Sequence, residues 1–138
     1  KDNQMNPVSP SSPPKHTLGQ GDIEIVLDGD TYILKPTIHV AQMLSKKYGS
    51  LQDAVNRVNN LDFNAVIDVI CLGLGPRYNG AKQQQEIMEK VFKTGLTDDS
   101  GGIAERSLAF ILSVMRGGKP APQTTEAMLD APEASPGN

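Results

Sequence analysis

Large aromatic side chains are scarce in this sequence. Tryptophan is absent, and Phe and Tyr together make up 4% of the 138 residues. A buried core must therefore be built mainly from aliphatic side chains. Hydrophobic residues nevertheless reach 38%, which is ordinary for a globular protein, and the length fits one domain.

Cysteine and positive charge are also in short supply. The single cysteine, Cys71, excludes an intrachain disulfide and supplies no thiol pair for a metal ion. The formal net charge is −3, whereas a free-standing nucleic-acid-binding domain is usually basic. No apolar run is long enough to span a membrane, and no secretory signal pattern is present. We therefore expect neither direct nucleic-acid binding nor a membrane partner.

The longest apolar segment, residues 62–74, predicts the central helix of the fold. It reads Asp-Phe-Asn-Ala-Val-Ile-Asp-Val-Ile-Cys-Leu-Gly-Leu. One face has helical spacing, and further apolar groups lie on the other side, so most of the circumference should be buried. These positions are Phe63, Val66, Ile67, Ile70 and Leu74 on the first face, with Val69 and Leu72 opposite. Asp62 or Asn64 can cap the start, and Gly75-Pro76 ends the helix. Cys71 should be buried and inert.

Residues 22–35 predict a β-hairpin. Two runs of β-favouring residues flank Asp28-Gly29, a dipeptide typical of the two-residue type I′ turn. Alternation places five large apolar residues on one face, Ile23, Ile25, Leu27, Tyr32 and Leu34. Val26 and Ile33 fall on the opposite face. A lone hairpin is marginally stable, so the first face should cover the helices.

Four further helices are expected around the central one. The first spans residues 38–48, the second begins after Ser50, the fourth spans 81–93 and the fifth 103–116. Their predicted apolar positions are Ile38, Ala41, Leu44 and Tyr48; Leu51, Ala54, Val55, Val58 and Leu61; Ile87, Met88, Val91 and Phe92; and Ile103, Leu108, Ile111, Leu112 and Met115. The predicted fold class is α+β, mostly α, with an N-terminal β-hairpin packed on a bundle of about five short helices.

Both ends of the chain have a different composition. Residues 1–21 are rich in Pro and Ser, and residues 119–138 are acidic and rich in Pro and Ala. Neither has enough apolar residues to fold alone, so we expect flexible arms on a hairpin-plus-helix domain at 22–118. Within the second arm, Thr124–Leu129 can form a short helix when bound to a partner.

Residues with catalytic or ligand chemistry are not grouped along the chain. The segment at 98–101, Asp-Asp-Ser-Gly, lacks the further acidic ligand of a calcium loop. His16 and His39 have no Cys or His companion at zinc-ligand spacing. Pairing Cys71 with His39 for nucleophilic catalysis would need an exposed, electropositive thiol, and the neighbours of Cys71 are aliphatic. We predict no catalytic, cofactor-binding or metal-binding residues, no cofactor and no enzyme activity.

The hairpin and its continuation resemble those of phage tail-assembly chaperones, in particular the gene-transfer-agent tail-chaperone family. The pattern Gly-x-x-Tyr-x-Leu-x-Pro-Thr is carried by Gly29, Tyr32, Leu34, Pro36 and Thr37, and a helix follows directly. A later Gly-Ser-Leu, at 49–51, also fits. The resemblance extends over residues 22–118. It departs from the pattern in the first helix, where Ile-His-Val-Ala stands in place of acidic and aromatic residues, and in the long arms.

This resemblance implies a non-enzymatic protein that binds the tape-measure protein, tail-tube subunits or both in the cytoplasm of an infected bacterium. The alternative is a structural virion component, such as a tail, connector or capsid accessory protein, anchored by its arms to neighbours or to its own copies. For partner binding we predict Val26 and Ile33 on the outer face of the hairpin, with Tyr32 beside them. Ile87 and Phe92 mark the fourth helix as the other location.

Overall fold

A β-hairpin packed on five α-helices forms the part of the chain that the computed structural model describes, residues 18–98 and 102–120. The elements, in chain order, are β1 (Ile23–Leu27), β2 (Asp30–Leu34), α1 (Ile38–Tyr48), α2 (Leu51–Asn59), α3 (Phe63–Leu74), a 3₁₀ turn (Pro76–Tyr78), α4 (Ala81–Thr94) and α5 (Ile103–Met115). The α+β, mostly α prediction is confirmed. Three predicted helix ends differ by a residue or two from those observed, as is common at fraying helix termini.

The hairpin has the predicted turn and register. Asp28 and Gly29 both have positive φ, 50° and 86°, as a type I′ turn requires. The strands are antiparallel, with Leu27 opposite Asp30 and Ile23 opposite Leu34. Because directly opposed residues share a face, the apolar residues of both strands lie together on the inner face. Ile25, Leu27 and Leu34 are buried there against the helices.

Helix α3 is the centre of the packing, as predicted. Seven of its residues are buried, and it contacts α1, α2, α4, α5 and β2. Gly73 allows the closest approach, since a β-carbon there would lie 2.9 Å from Leu34 Cβ and 3.0 Å from the Phe110 ring. The backbone N–H of Lys35 donates to the Gly73 carbonyl at 3.0 Å, which joins the end of β2 to the end of α3.

Three helices begin at residues whose side chains cap the first turn. Thr37 Oγ1 accepts from the Val40 N–H at 3.2 Å, Ser50 Oγ from Asp53 N–H at 2.9 Å, and Asp62 Oδ1 from Ala65 N–H at 3.2 Å. Each bond satisfies one of the backbone donors that a helix start leaves open. These local signals explain why the start of each of these helices was predictable.

The predicted face of α1 is confirmed in part. Leu44 is buried, and Ala41 and Tyr48 are half-buried against the core, but Ile38 is 79% exposed and Val40 is buried in its place. The prediction was wrong for Ile38 because α1 carries apolar residues at 38, 40, 41, 43 and 44, which offer more than one helical stripe. Three other residues that were predicted to pack in the core are exposed: Leu61, Leu112 and Met115. Leu61 follows α2 and has positive φ, and the other two lie on α5. Phe110 and Val114 take their place in the core, together with the buried hydroxyls of Ser107 and Ser113.

The two ends of the packed region meet beside the last turn of α5. Gly21 is buried, and Ser113 Oγ donates to its carbonyl at 2.6 Å. A β-carbon on Gly21 would lie only 2.1 Å from the Gly118 carbonyl oxygen, so this crossing needs glycine. The packed region therefore begins before the predicted boundary at residue 22. The rest of the predicted arms, residues 1–17 and 121–138 with the Thr124–Leu129 helix, and residues 99–101 of the acidic loop lie outside the described residues. Within the described ranges, no helix has the length and apolarity needed to cross a bilayer.

Candidate partner-binding surfaces

The five residues predicted to bind a partner do not form one surface. Val26 and Ile33 lie together on the outer face of the hairpin, Tyr32 lies on its inner face, and Ile87 and Phe92 lie on different sides of α4. Only Val26 and Phe92 are more than half exposed, at 52% and 77%. The predicted residues therefore belong to three separate places: the outer face of the hairpin, its inner face and helix α4.

The outer hairpin face consists of Glu24, Val26, Thr31 and Ile33. Val26 is opposite Thr31 and Glu24 is opposite Ile33, so Val26 and Ile33 are diagonal neighbours across the strands. Diagonal side chains of this size remain within reach of a common ligand. Val26 is exposed and Ile33 half-buried, so the pair presents a small apolar patch flanked by polar side chains.

The outer hairpin face continues into a cleft beside the first turn of α5. The cleft has a volume of about 380 Å³, and Val26, Thr94, Ile103 and Arg106 are among its lining residues. Arg106 Nε donates to the backbone carbonyl of Glu24 at 3.1 Å, which occupies a position on the free edge of β1. A partner strand added along β1 would have to displace this bond. The cleft therefore offers room for a partner side chain beside Val26, between charged groups that include Glu24, Asp98 and Arg106, whereas the edge itself is partly occupied.

Tyr32 belongs to the junction between the hairpin and α4. Lys90 Nζ lies 5.4 Å from the centroid of its ring and 2.5 Å from Asp30 Oδ2. The hydrogen bond from Lys90 to Asp30, followed by the one involving Tyr32, raises the pKa of the Lys90 ammonium above its ordinary value. The backbone N–H of Asp28 also donates to Thr94 Oγ1 at 2.6 Å. Tyr32 is thus engaged within the domain, which leaves less of it available to a partner.

The two residues predicted on α4 have opposite environments. Ile87 is 1% exposed and packs in the core with Val91, so its assignment to a partner-binding surface is wrong for this conformation. Phe92 was placed among the packed positions of α4 but is exposed. It lies two residues, or about 200° of helix rotation, from Lys90, which faces the hairpin. Phe92 therefore points away from the hairpin and offers a separate contact.

A second apolar surface was not recognised from the sequence. It is a groove along α1, which we call the α1 groove, and its two adjoining parts have volumes of about 460 and 700 Å³. Ala41 and Gln42 line both parts. The first part is completed by Pro36, Thr37, Ile38, Val114, Gly117 and Gly118, and the second by Met43, Ser45, Lys46 and Leu51. The sequence could have indicated this groove only through the apolar residues of α1, because the other wall of the groove comes from the distant end of α5.

The main cluster of ionisable groups links the ends of α1 and α2 to α3. Asp68 accepts a hydrogen bond from the Tyr48 hydroxyl and forms an ion pair with Lys47, whose Nζ lies 2.8 Å from its carboxylate. Burial, and then the hydrogen bond to Asp68, raise the pKa of Tyr48 well above its usual value. Arg57 lies 5.5 Å from the centroid of the Tyr48 ring and pairs with Asp62 at 2.9 Å. These groups neutralise one another, and the arrangement joins three helices.

Cys71 is buried in α3, as predicted. Burial, and to a smaller extent the Asp68 carboxylate, raise the pKa of its thiol to about 12. Since the thiolate is the reactive form, this group is a poor nucleophile. Among the described residues, no three His, Cys, Asp or Glu side chains are placed to hold a metal ion.

Comparison of the chain with protein-family models, curated proteins and solved structures gives no match.

Proposed function

We propose that this protein is a non-enzymatic chaperone of phage tail assembly that covers an apolar segment of a tape-measure or tail-tube protein during morphogenesis. The proposal rests on the residue pattern from Ile25 to Thr37, which resembles that family. It is supported by the hairpin and by the helix that begins at Ile38, in the order the resemblance implies.

One observation carries the proposal beyond the resemblance. Val26, Ile38 and Phe92 are each more than half exposed, although the same domain buries a continuous aliphatic core. Single exposed apolar residues are common, so exposure alone is weak evidence. Val26 is more informative, because it adjoins both Ile33 and a cleft of about 380 Å³ that has room for a partner side chain. Such grouping is typical of surfaces that contact another protein.

The geometry fits reversible covering of a partner. The outer hairpin face and its cleft can bury only a small area, and interfaces below about 1,200 Å² are typical of weak or transient complexes. A tape-measure segment with an exposed helical stripe would insert one large side chain beside Val26 and lay its neighbours over Ile33. A chaperone has to be released, so a small interface suits the role.

The reactivity of the buried groups is consistent with a binding role. The thiol of Cys71 is inaccessible, and Tyr48 and Asp68 are committed to each other and to Lys47. Removing such a group would change stability rather than any turnover. The proposed function therefore uses surface side chains, with Val26 and Ile33 as the main partner-binding residues and Phe92 as a separate contact.

The Val26→Thr/Ile33→Thr double variant tests the site. Thr keeps the β-branched shape and removes much of the apolar contact. We expect the variant to remain folded and to lose most co-purification with the tape-measure or tail-tube protein expressed beside it. Met115→Gln is the matched control and should retain binding, because Met115 is 43% exposed at the last residue of α5, whereas the cleft adjoins the first turn of that helix.

Co-purification of the double variant at the wild-type yield would exclude the outer hairpin face, and the same test on Phe92→Ser would then examine α4. Proteomics of purified particles tests the function itself. A chaperone should be absent from mature particles or far below the copy number of tail subunits. A stoichiometric amount would instead support the alternative, a structural virion component.

A further inference from the structure

Helix α5 has an outward face that combines apolar and charged side chains. Its central line consists of four residues spaced by four, three and four positions, which fall within about 60° of one another around the helix: Glu105, Ala109, Leu112 and Arg116. Glu105 and Leu112 are exposed, and the other two are half-buried. Leu108 and the exposed Met115 lie along one side of this line. We call these six residues the α5 face.

A hollow adjoins the C-terminal half of the α5 face. It has a volume of about 270 Å³, and Ala109, Leu112 and Arg116 line it together with the chain ends at Gly21 and Pro120. Ala109 has a small side chain, so the surface beside the exposed Leu112 is recessed. The α5 face therefore offers both an apolar side chain that projects and a recess that can receive one.

The two ends of the α5 face carry opposite charges. Glu105 lies in the first turn of the helix, and Arg116 directly follows its last turn. Neither forms an ion pair with another residue in the described ranges, although Arg116 Nε donates to the Lys119 carbonyl at 3.3 Å. Arg106 is directed toward the hairpin, where it donates to the carbonyl of Glu24. The α5 face is therefore negative at its start and positive at its end.

A surface of this kind is complementary to a second copy of itself turned end to end. Residues 105 and 116 are centred on the same point of the helix as residues 109 and 112, between positions 110 and 111. One two-fold axis at that point therefore sets Glu105 of each copy opposite Arg116 of the other, and Ala109 of each opposite Leu112 of the other. A large residue facing a small one lets two helices approach closely. The helix dipoles are also opposed in this arrangement.

We propose that the α5 face is a homodimer interface, in which the α5 helices of two copies pack antiparallel. Leu112 of each copy lies over Ala109 of the other, and Glu105 pairs with Arg116 at both ends. A pair of 13-residue helices makes a small interface, and small interfaces are typical of weak association. Monomer and dimer should therefore be in a concentration-dependent equilibrium. The interface uses none of the residues assigned to the proposed chaperone function, and the inference does not rest on that function.

Charge reversal followed by sedimentation equilibrium of the full chain, from about 10 μM to about 1 mM, tests the interface. Glu105→Arg and Arg116→Glu each create two like-charge pairs, because the interface is two-fold symmetric. Each should weaken dimerisation at least about tenfold. The double variant Glu105→Arg/Arg116→Glu restores both pairs in reversed order, and its dimer should be within about threefold of the wild type in affinity.

Arg77→Glu is the matched control, with the same change of charge as Arg116→Glu. Arg77 is exposed in the 3₁₀ turn, which packs on α3 and α4, so its reversal should leave the dimer unchanged. Circular dichroism checks that each variant is folded, because the reversed charges oppose the helix dipole and should lower melting slightly.

A wild-type chain that remains monomeric over this range would overturn the proposal and leave the α5 face to the arms of the chain or to another protein. A dimer that both single reversals leave unchanged would also overturn it, since that dimer would use another surface. The same holds if the folded double variant stays as weak as the single variants. Loss in each single variant and recovery in the double variant supports antiparallel pairing of α5.

Discussion

Helices α1 and α3 are nearly equal in length, 11 and 12 residues, but use their apolar side chains in different ways. In α3 seven residues are buried, because other elements surround it on most sides. In α1 only Val40 and Leu44 are buried, and Ile38 and Met43 remain exposed. The comparison shows that apolar residues in a helix serve folding or remain available for contacts, depending on the position of the helix in the bundle.

The largest expected difference in stability is between the same kind of substitution made in each of the two helices. Ile70→Asp buries an unpaired carboxylate at a site with 0% exposure, which costs several kcal/mol and is comparable with the stability of a small domain. We expect this variant to be unfolded or insoluble. Ile38→Asp should melt at or slightly above the wild-type temperature, because it adds a negative charge to a first turn that has none. Circular dichroism against temperature measures both.

A folded Ile70→Asp variant with unchanged melting would mean that α3 is not the packing centre. A loss of several degrees in Ile38→Asp would mean that the side of α1 that contains Ile38 is covered within the domain.

A smaller effect is expected where α3 meets the hairpin and α5. Gly73→Ala would place a methyl group 2.9 Å from Leu34 Cβ and 3.0 Å from the Phe110 ring. Overpacking of this kind costs about 1–3 kcal/mol, and the better helix propensity of Ala returns up to about 1 kcal/mol. We expect a net loss of about 1–2 kcal/mol in the free energy of unfolding by urea titration. Increased stability would instead show that Leu34 and Phe110 can move apart without cost.

The smallest effect concerns the start of α3 and depends on pH. The hydrogen bond from Arg57, and then the backbone N–H of Ala65, lower the pKa of Asp62 in the folded state. A lowered folded pKa stabilises the protein above the unfolded value, near 3.8, and this contribution is lost as the pH falls through the folded pKa. Asp62→Ala should therefore cost about 1 kcal/mol at pH 7, and the difference from wild type should shrink below about pH 4.

Asp62→Asn is the matched control for this prediction. Its amide oxygen can still accept from the helix N–H groups, while the charge that pairs with Arg57 is removed. The stability difference between the Asn and Ala variants should therefore stay nearly constant with pH. A wild-type advantage over the Ala variant that persists undiminished at pH 2 would contradict the pH assignment.

The elements that the sequence predicts best depend on neighbouring residues. Asp28-Gly29 specifies its turn through positive φ, and Asp62 caps α3 through a donor three residues away. The alternation of strand residues also placed Val26 and Ile33 together on one face. For these features the physical cause lies within a few residues of chain, so no knowledge of the tertiary structure was needed.

The features that were missed depend on contacts between distant residues. The exposure of Ile38 depends on which side of α1 packs against α2, α3 and α5, and these elements come later in the chain. The different environments of Ile87 and Phe92, which the sequence treated alike, depend on which side of α4 meets α3 and the hairpin. Periodicity identified α4 as amphipathic but left the width of its buried stripe open. The α1 groove forms only when α1 and the end of α5 are packed together, so neither segment alone predicts it.

Residue-resolved amide hydrogen exchange tests the central difference between α3 and α1 most directly. If α3 is the packing centre, the amides from Val66 to Gly73 should exchange only through global unfolding and be the slowest in the domain. Those in the first turns of α1 should exchange through smaller, local openings. Exchange from α3 at rates equal to or faster than those of α1 would contradict the account.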